Sequence, residues 1–83
     1  MTGGPRLVLY SRAYCHLCHE MLRELEALQP ELAFEIEVRD VDADPALEER
    51  FGETVPVLAH GEVELARVRL DPSAIRAYVG RFR

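Results

Sequence analysis

A chain of 83 residues can bury only about 60 to 65 per cent of its unfolded surface, so residues 1–83 are expected to form one domain with no room for a second. With 48% hydrophobic and 30% charged residues the composition is that of a folding globular chain, which excludes a disordered or fibrous class. The net charge of −5 excludes a nucleic-acid surface, which needs clustered positive charge, and apolar runs of only a few residues exclude a membrane span of about 20.

Met1-Thr2-Gly3-Gly4-Pro5 offers neither the cationic region nor the apolar stretch of a secretory leader, so a cytoplasmic location is expected. All ten basic residues are Arg. Cys15 and Cys18 are too close in sequence to staple distant parts of a fold, so their role is chemical rather than structural.

Leu7-Val8-Leu9-Tyr10, bounded by Gly4-Pro5 and by Ser11-Arg12, predicts a central strand buried on both faces. After Cys15, Leu17, Met21, Leu22, Leu25 and Leu28 recur at helical spacing against a polar face of His19, Glu20, Arg23, Glu24 and Glu26. This amphipathic helix is stopped at Pro30. Phe34-Glu35-Ile36-Glu37-Val38-Arg39 alternates with period two, as a strand with one wet face does. Asp44-Pro45 supplies an N-cap acceptor and a preset φ, and Gly52 a stop, for a short second helix.

Val57-Leu58-Ala59 and Val63-Glu64-Leu65 flank His60-Gly61-Glu62, a hairpin whose glycine takes the left-handed turn position. The second arm is irregular after Ala66. Asp71-Pro72 repeats the capping signal, and Ile75, Tyr78, Val79 and Phe82 line one face of a last helix. The order βαβαββα predicts an α/β fold with a mixed four-stranded sheet and three helices: a helical crossover joins parallel strands, and the hairpin adds antiparallel ones.

Cys15-His16-Leu17-Cys18 falls where the first strand gives way to the first helix. Unpaired N–H groups and the helix dipole favour an anion there, so the thiol of Cys15 becomes more acidic and Cys15 is the expected nucleophile. Cys18, one helical turn on, can attack a mixed disulfide at Cys15 and release the reduced substrate, which makes it the resolving thiol. His16 stands between them, and as an imidazolium it would tune the pair by further favouring the thiolate.

Tyr10-Ser11-Arg12-Ala13-Tyr14-Cys15-His16-Leu17-Cys18, followed by Thr54-Val55-Pro56, resembles the small glutaredoxin-like proteins of the thioredoxin superfamily. The resemblance spans nearly the whole chain in element order. It implies a thioredoxin-like, glutaredoxin-type domain, and a cis Pro56 packed beside the active disulfide. It also implies a Val55 backbone that pairs with an extended thiol substrate. Arg12, three residues before the nucleophile, resembles the position that meets a glutathione carboxylate.

Two departures stand beside it. The middle pair is His-Leu rather than Pro-Tyr, and Ala66-Arg67-Val68-Arg69-Leu70-Asp71 replaces the Gly-Gly and polar-Asp motif that completes a glutathione site. The implied activity is thiol-disulfide oxidoreduction by a monomer, with protein disulfides or glutathione-like thiols as partners and no dissociable cofactor or metal.

A non-catalytic metal-binding or interaction module that uses the same cysteines is the alternative. Zinc would need Cys15 and Cys18 with His16, His19 or His60, or an iron-sulfur cluster would be shared between chains. Cys15 through His19 also spells C-x-x-C-H, the haem-attachment pattern, but the alternating strand at Phe34 to Arg39 does not suit an all-helical cytochrome. His19 reads as a solvated helix residue, His60 as a turn residue, Tyr10 and Tyr14 as packing residues, and Glu48, Glu49 and Glu53 as a solvated face.

Overall fold

Strand β1 (Arg6–Ser11) is the structural axis, and in the computed structural model it runs in the interior of a four-stranded sheet of order β2-β1-β3-β4. The model describes residues 4–82; the opening Met1-Thr2-Gly3, read above against a secretory leader, and Arg83 lie outside the described residues. Helix α1 (His16–Leu28) carries the chain over to β2 (Glu35–Asp40), which pairs parallel with β1 from Arg6↔Glu35 to Ser11↔Asp40. A single 3₁₀ turn at Val41–Ala43, with no counterpart in the sequence reading, leads into α2 (Pro45–Phe51). Strands β3 (Val57–His60) and β4 (Val63–Arg67) form the hairpin, and α3 (Pro72–Gly80) closes the fold.

The predicted α/β order is thus the observed one. The two Asp-Pro signals act as read: the carboxylates of Asp44 and Asp71 accept the N–H groups of Ala46 and Ser73 at 2.9 and 3.0 Å, satisfying N-terminal donors that would otherwise be orphaned. Gly61, at φ 62°, opens the two-residue turn between His60 and Val63.

Alternation along the strands decides which helix covers which face. Leu7, Leu9 and Leu58 point to one side and are sealed there by Met21, Leu25 and Leu28 of α1 and by Ile75 and Val79 of α3. Each such side chain contributes about 1.5–3 kcal/mol when fully buried. Val41, Phe51 and Val57 make a smaller cluster on the opposite side, where the rings of Tyr10 and Phe51 stack with centroids 4.3 Å apart. With only seven residues, α2 covers one end of that face, and Val8 stays partly exposed.

Phe82, assigned above to the last helix, lies beyond its end. The N–H of Arg81 bonds back to the Tyr78 carbonyl at 3.1 Å, closing the helix at Gly80. The Phe82 ring then lies near His60 and Tyr78, with centroids 5.2 and 5.3 Å away. Among the described residues no helix is long and apolar enough to cross a membrane. For the site, the register Tyr10↔Val57 matters most: it puts the loop leaving β1 and the loop entering β3 at the same end of the sheet.

Candidate functional site

Helix α1 begins without a Ser, Thr, Asp or Asn at its N-cap. Cys15 takes that position in extended backbone (φ −119°, ψ 107°), and its Sγ accepts the N–H of Cys18 at 3.1 Å. The N–H of His19 closes the first turn on the Cys15 carbonyl at 3.2 Å. No acidic residue lies in this first turn, so nothing there opposes the build-up of negative charge on Sγ, which the backbone donors favour.

The two sulfurs have different surroundings. Cys15 is partly exposed, whereas Cys18 is only 1% exposed and adjoins a depression shared with Leu9, Leu22 and Val38. Val38 is half-exposed at the end of edge strand β2 because this depression, rather than a helix, lies against it. Cys15 and Cys18 are joined as a disulfide with Cα atoms 5.2 Å apart, within the range disulfides span.

At the other loop, the Val55–Pro56 peptide is cis and Pro56 is fully buried. The N–H and Oγ1 of Thr54 donate to the Phe51 carbonyl at 2.9 and 3.2 Å. The Pro56 carbonyl accepts the N–H of Val68 at 2.8 Å. Among the described residues no hydrogen bond engages the backbone of Val55, which leaves one extended residue free to pair between two that are tied down.

Val68 itself has φ 68°. With the Arg69 N–H donating to the Arg67 carbonyl at 2.7 Å, it forms a tight three-residue turn of the strained hand. Sequence reading did not single out Val68. A β-branched residue gives no signal for a left-handed position, and it occupies the stretch where the resemblance expected glycines.

His16 does not turn toward the sulfurs: its Nε2 lies 2.7 Å from Glu20 one turn along α1, with the imidazole largely exposed. Arg12 does not stand free either. Its guanidinium donates to Asp42 Oδ1 at 2.9 Å, to Glu48 Oε2 at 3.4 Å and to the Gly52 carbonyl at 3.1 Å. The hydrogen bond to Asp42 is the largest influence on Arg12 and raises its pKa. Neither Asp42 nor Glu48 was marked by the sequence as a partner for it.

Tyr14, read above as a packing residue, is instead 81% exposed. It sits in the turn between β1 and α1, next to Cys15 in the chain, with its side chain in solvent rather than in either core cluster. His19 is exposed on α1, as read. His60, at the far end of β3, hydrogen-bonds through Nδ1 to the Tyr78 hydroxyl at 2.6 Å. Among the described residues, no three His, Cys, Asp or Glu side chains converge as metal ligands would.

Comparison with known proteins follows the same lines. Residues 6–80 match the Glutaredoxin-like domain (DUF836). The Mycobacterium tuberculosis protein Rv0508 is 30% identical over 82 residues, covering 93% of this chain and 84% of its own length. Among solved structures, the protein Ne2328 from Nitrosomonas europaea superposes with a TM-score of 0.81 at 40% identity, covering 95% of both chains. Thioredoxin 1 from Thermosipho africanus superposes with a TM-score of 0.62 at 22% identity, covering 93% of this chain and 92% of its own, which speaks to the fold alone.

Proposed function

Because the chain belongs to the glutaredoxin-like domain family, within the thioredoxin superfamily, we propose that it is a thiol-disulfide oxidoreductase in which Cys15 attacks and Cys18 resolves. The observation that carries this reading is the position of Cys15 Sγ as the helix cap, accepting a backbone N–H at 3.1 Å with the second sulfur buried behind it. A helix start favours the thiolate over the thiol, and the thiolate is the reactive form.

The reaction balances without a cofactor. The Cys15 thiolate attacks one sulfur of a substrate disulfide, a new S–S bond forms, and the other substrate sulfur leaves as a thiolate that takes a proton. Cys18, deprotonated, then attacks Cys15 Sγ, forms the intramolecular disulfide and expels the second substrate thiol. The substrate gains two electrons and the dithiol loses them; an external thiol must return them for the next cycle. The unpaired backbone of Val55, next to Pro56, supports the part assigned to that loop: pairing with an extended segment that bears the substrate disulfide.

His16, as an imidazolium, would add to the field that favours the thiolate, an effect its ion pair with Glu20 reduces. The partners of this reading are protein disulfides or low-molecular-weight thiols, met by a monomer in the thiol-rich cytoplasm. The metal-binding alternative draws no support from His16, which faces Glu20, or from His60, which faces Tyr78.

Trapping tests the reading. Reduced Cys18→Ser protein, mixed with hydroxyethyl disulfide, should accumulate a mixed disulfide on Cys15 that intact mass and peptide mapping detect, while Cys15→Ser should not. An adduct that forms equally on both variants, or on neither, would overturn it.

A further inference from the structure

The exchange reading leaves open which disulfides the site accepts, and the arginine closest to the nucleophile in the chain bears on that. Arg12 is three residues before Cys15 in the chain, and it lines the same depression as Cys18. A guanidinium in this position would be the natural anchor for a carboxylate-bearing thiol. Both terminal nitrogens of Arg12 are already bonded, however, one to the Gly52 carbonyl and the other to the carboxylates of Asp42 and Glu48, which neutralise the charge. Its Nε is buried and makes no protein hydrogen bond, and the side chain is only 22% exposed.

The surroundings add negative charge. Asp40, Asp42, Asp44, Glu48, Glu49 and Glu53 lie in the segment that leads into the Thr54-Val55-Pro56 loop, with Arg50 the one basic residue among them. On the other side of the helix start, Arg69 lines a depression with Glu20 and Glu24, which outnumber it. A carboxylate arriving beside Cys15 would meet a cation already neutralised and a field of its own sign.

We propose that Asp42 and Glu48 mask Arg12 and thereby make the site select cationic or neutral peptidyl disulfides over glutathione disulfide, which is a net anion. The inference rests on the exchange reading, and the chemistry is the two-step exchange written above. What the mask changes is the encounter between the Cys15 thiolate and the incoming disulfide, where like charge slows association and opposite charge speeds it.

Single-turnover oxidation of the reduced protein, followed by quenched alkylation, separates the possibilities. The probes are glutathione disulfide and cystamine, the latter a dication. The unaltered protein should react faster with cystamine at low ionic strength, and the difference should shrink as salt is added. The double variant Asp42→Asn with Glu48→Gln keeps the side-chain shapes and leaves the Arg12 charge uncompensated, so the rate with glutathione disulfide should rise relative to cystamine by on the order of tenfold. Adding Arg12→Gln to that variant should remove the gain, which ties it to the guanidinium and not to the mere loss of two negative charges.

A preference for glutathione disulfide in the unaltered protein overturns the proposal without any variant being needed. So does an unchanged ratio in a double variant that retains its far-ultraviolet circular dichroism. Oxidation by neither disulfide would overturn the exchange reading itself, and the selectivity with it, whereas reaction with both at a fixed ratio sinks the selectivity alone.

Discussion

Exchanging Val68 for glycine and, separately, for alanine should give stabilities in the reverse of their ordinary order. At an unstrained position glycine is less stable than alanine by about 0.5–1 kcal/mol, because it loses more backbone freedom on folding. Val68, however, sits at φ 68° in a tight turn held by the Arg69 N–H on the Arg67 carbonyl and by its own N–H on the Pro56 carbonyl. A Cβ in left-handed backbone costs about 1–2 kcal/mol, which alanine keeps and glycine sheds. Both variants lose the same valine methyl groups, which are 39% exposed as part of the residue, so the comparison between them isolates the backbone. Taken at their midpoints, the two contributions leave Val68→Gly ahead of Val68→Ala by roughly 0.75 kcal/mol. In a domain of this size that is a difference in Tm of about 3–6 °C, measurable by circular dichroism melts of the two proteins in the same redox state. A Val68→Ala protein as stable as Val68→Gly, or more so, would refute the claim that this turn is strained.

Three further perturbations test the frame around the site. Gly4→Ala should destabilise by more than about 1 kcal/mol, since Gly4 has φ 75° and a Cβ there would fall 1.7 Å from the Ala33 carbonyl oxygen; chemical denaturation reads the loss. Leu25→Ala, at a fully buried position of the main core, should cost about 2–5 kcal/mol by the same measurement. Glu64 accepts hydrogen bonds from Arg67 at 2.9 and 2.6 Å, the largest influence on it, which hold its carboxyl below the ordinary carboxylate range. A carboxyl depressed in the folded state stabilises above the unfolded value and loses that contribution as pH falls. The small advantage over Glu64→Gln should therefore be present at neutral pH, shrink with salt, begin to fall as pH drops through the ordinary carboxylate value of about 4.3 and be gone only below the depressed folded value; an advantage that grew on acidification would contradict it.

What the sequence made legible was what depends on neighbours in the chain. The Asp44-Pro45 and Asp71-Pro72 caps, the Gly61 turn and the Cys15 to Cys18 spacing are local patterns, and the structure carries each of them; the strand read at Phe34 to Arg39 forms at Glu35–Asp40, but its alternation does not set burial, since Val38 is 49% exposed beside a partly buried Glu37. Three features escaped because they are set by partners far along the chain. Arg12 finds Asp42 and Glu48 across 30 and 36 positions, and no periodicity announces such a meeting. Val68 takes left-handed backbone, against its own preference, in a turn where its N–H donates to the Pro56 carbonyl twelve positions earlier. Tyr14 has the composition of a core residue, but lies in a turn with no core above it.

These features share a physical logic with the helix start. A Ser, Thr or Asp at the N-cap of α1 would stabilise the helix more than a thiol does, typically by about 1 kcal/mol over a non-capping residue. The chain instead places at that position a sulfur whose acceptor strength depends on its charge, weak as a thiol and strong as a thiolate. The stability that α1 forgoes at its first turn is supplied farther along by Met21, Leu25 and Leu28, all packed against β1. The reactive end of the helix can therefore change its protonation and bonding while the rest stays anchored, and the same division holds at the opposite loop, where Thr54 and Pro56 are tied down on either side of an unpaired Val55. In both places the fold fixes the flanks and leaves one group available to a partner: the partly exposed Cys15 sulfur at the helix start and, among the described residues, the unpaired Val55 backbone at the loop.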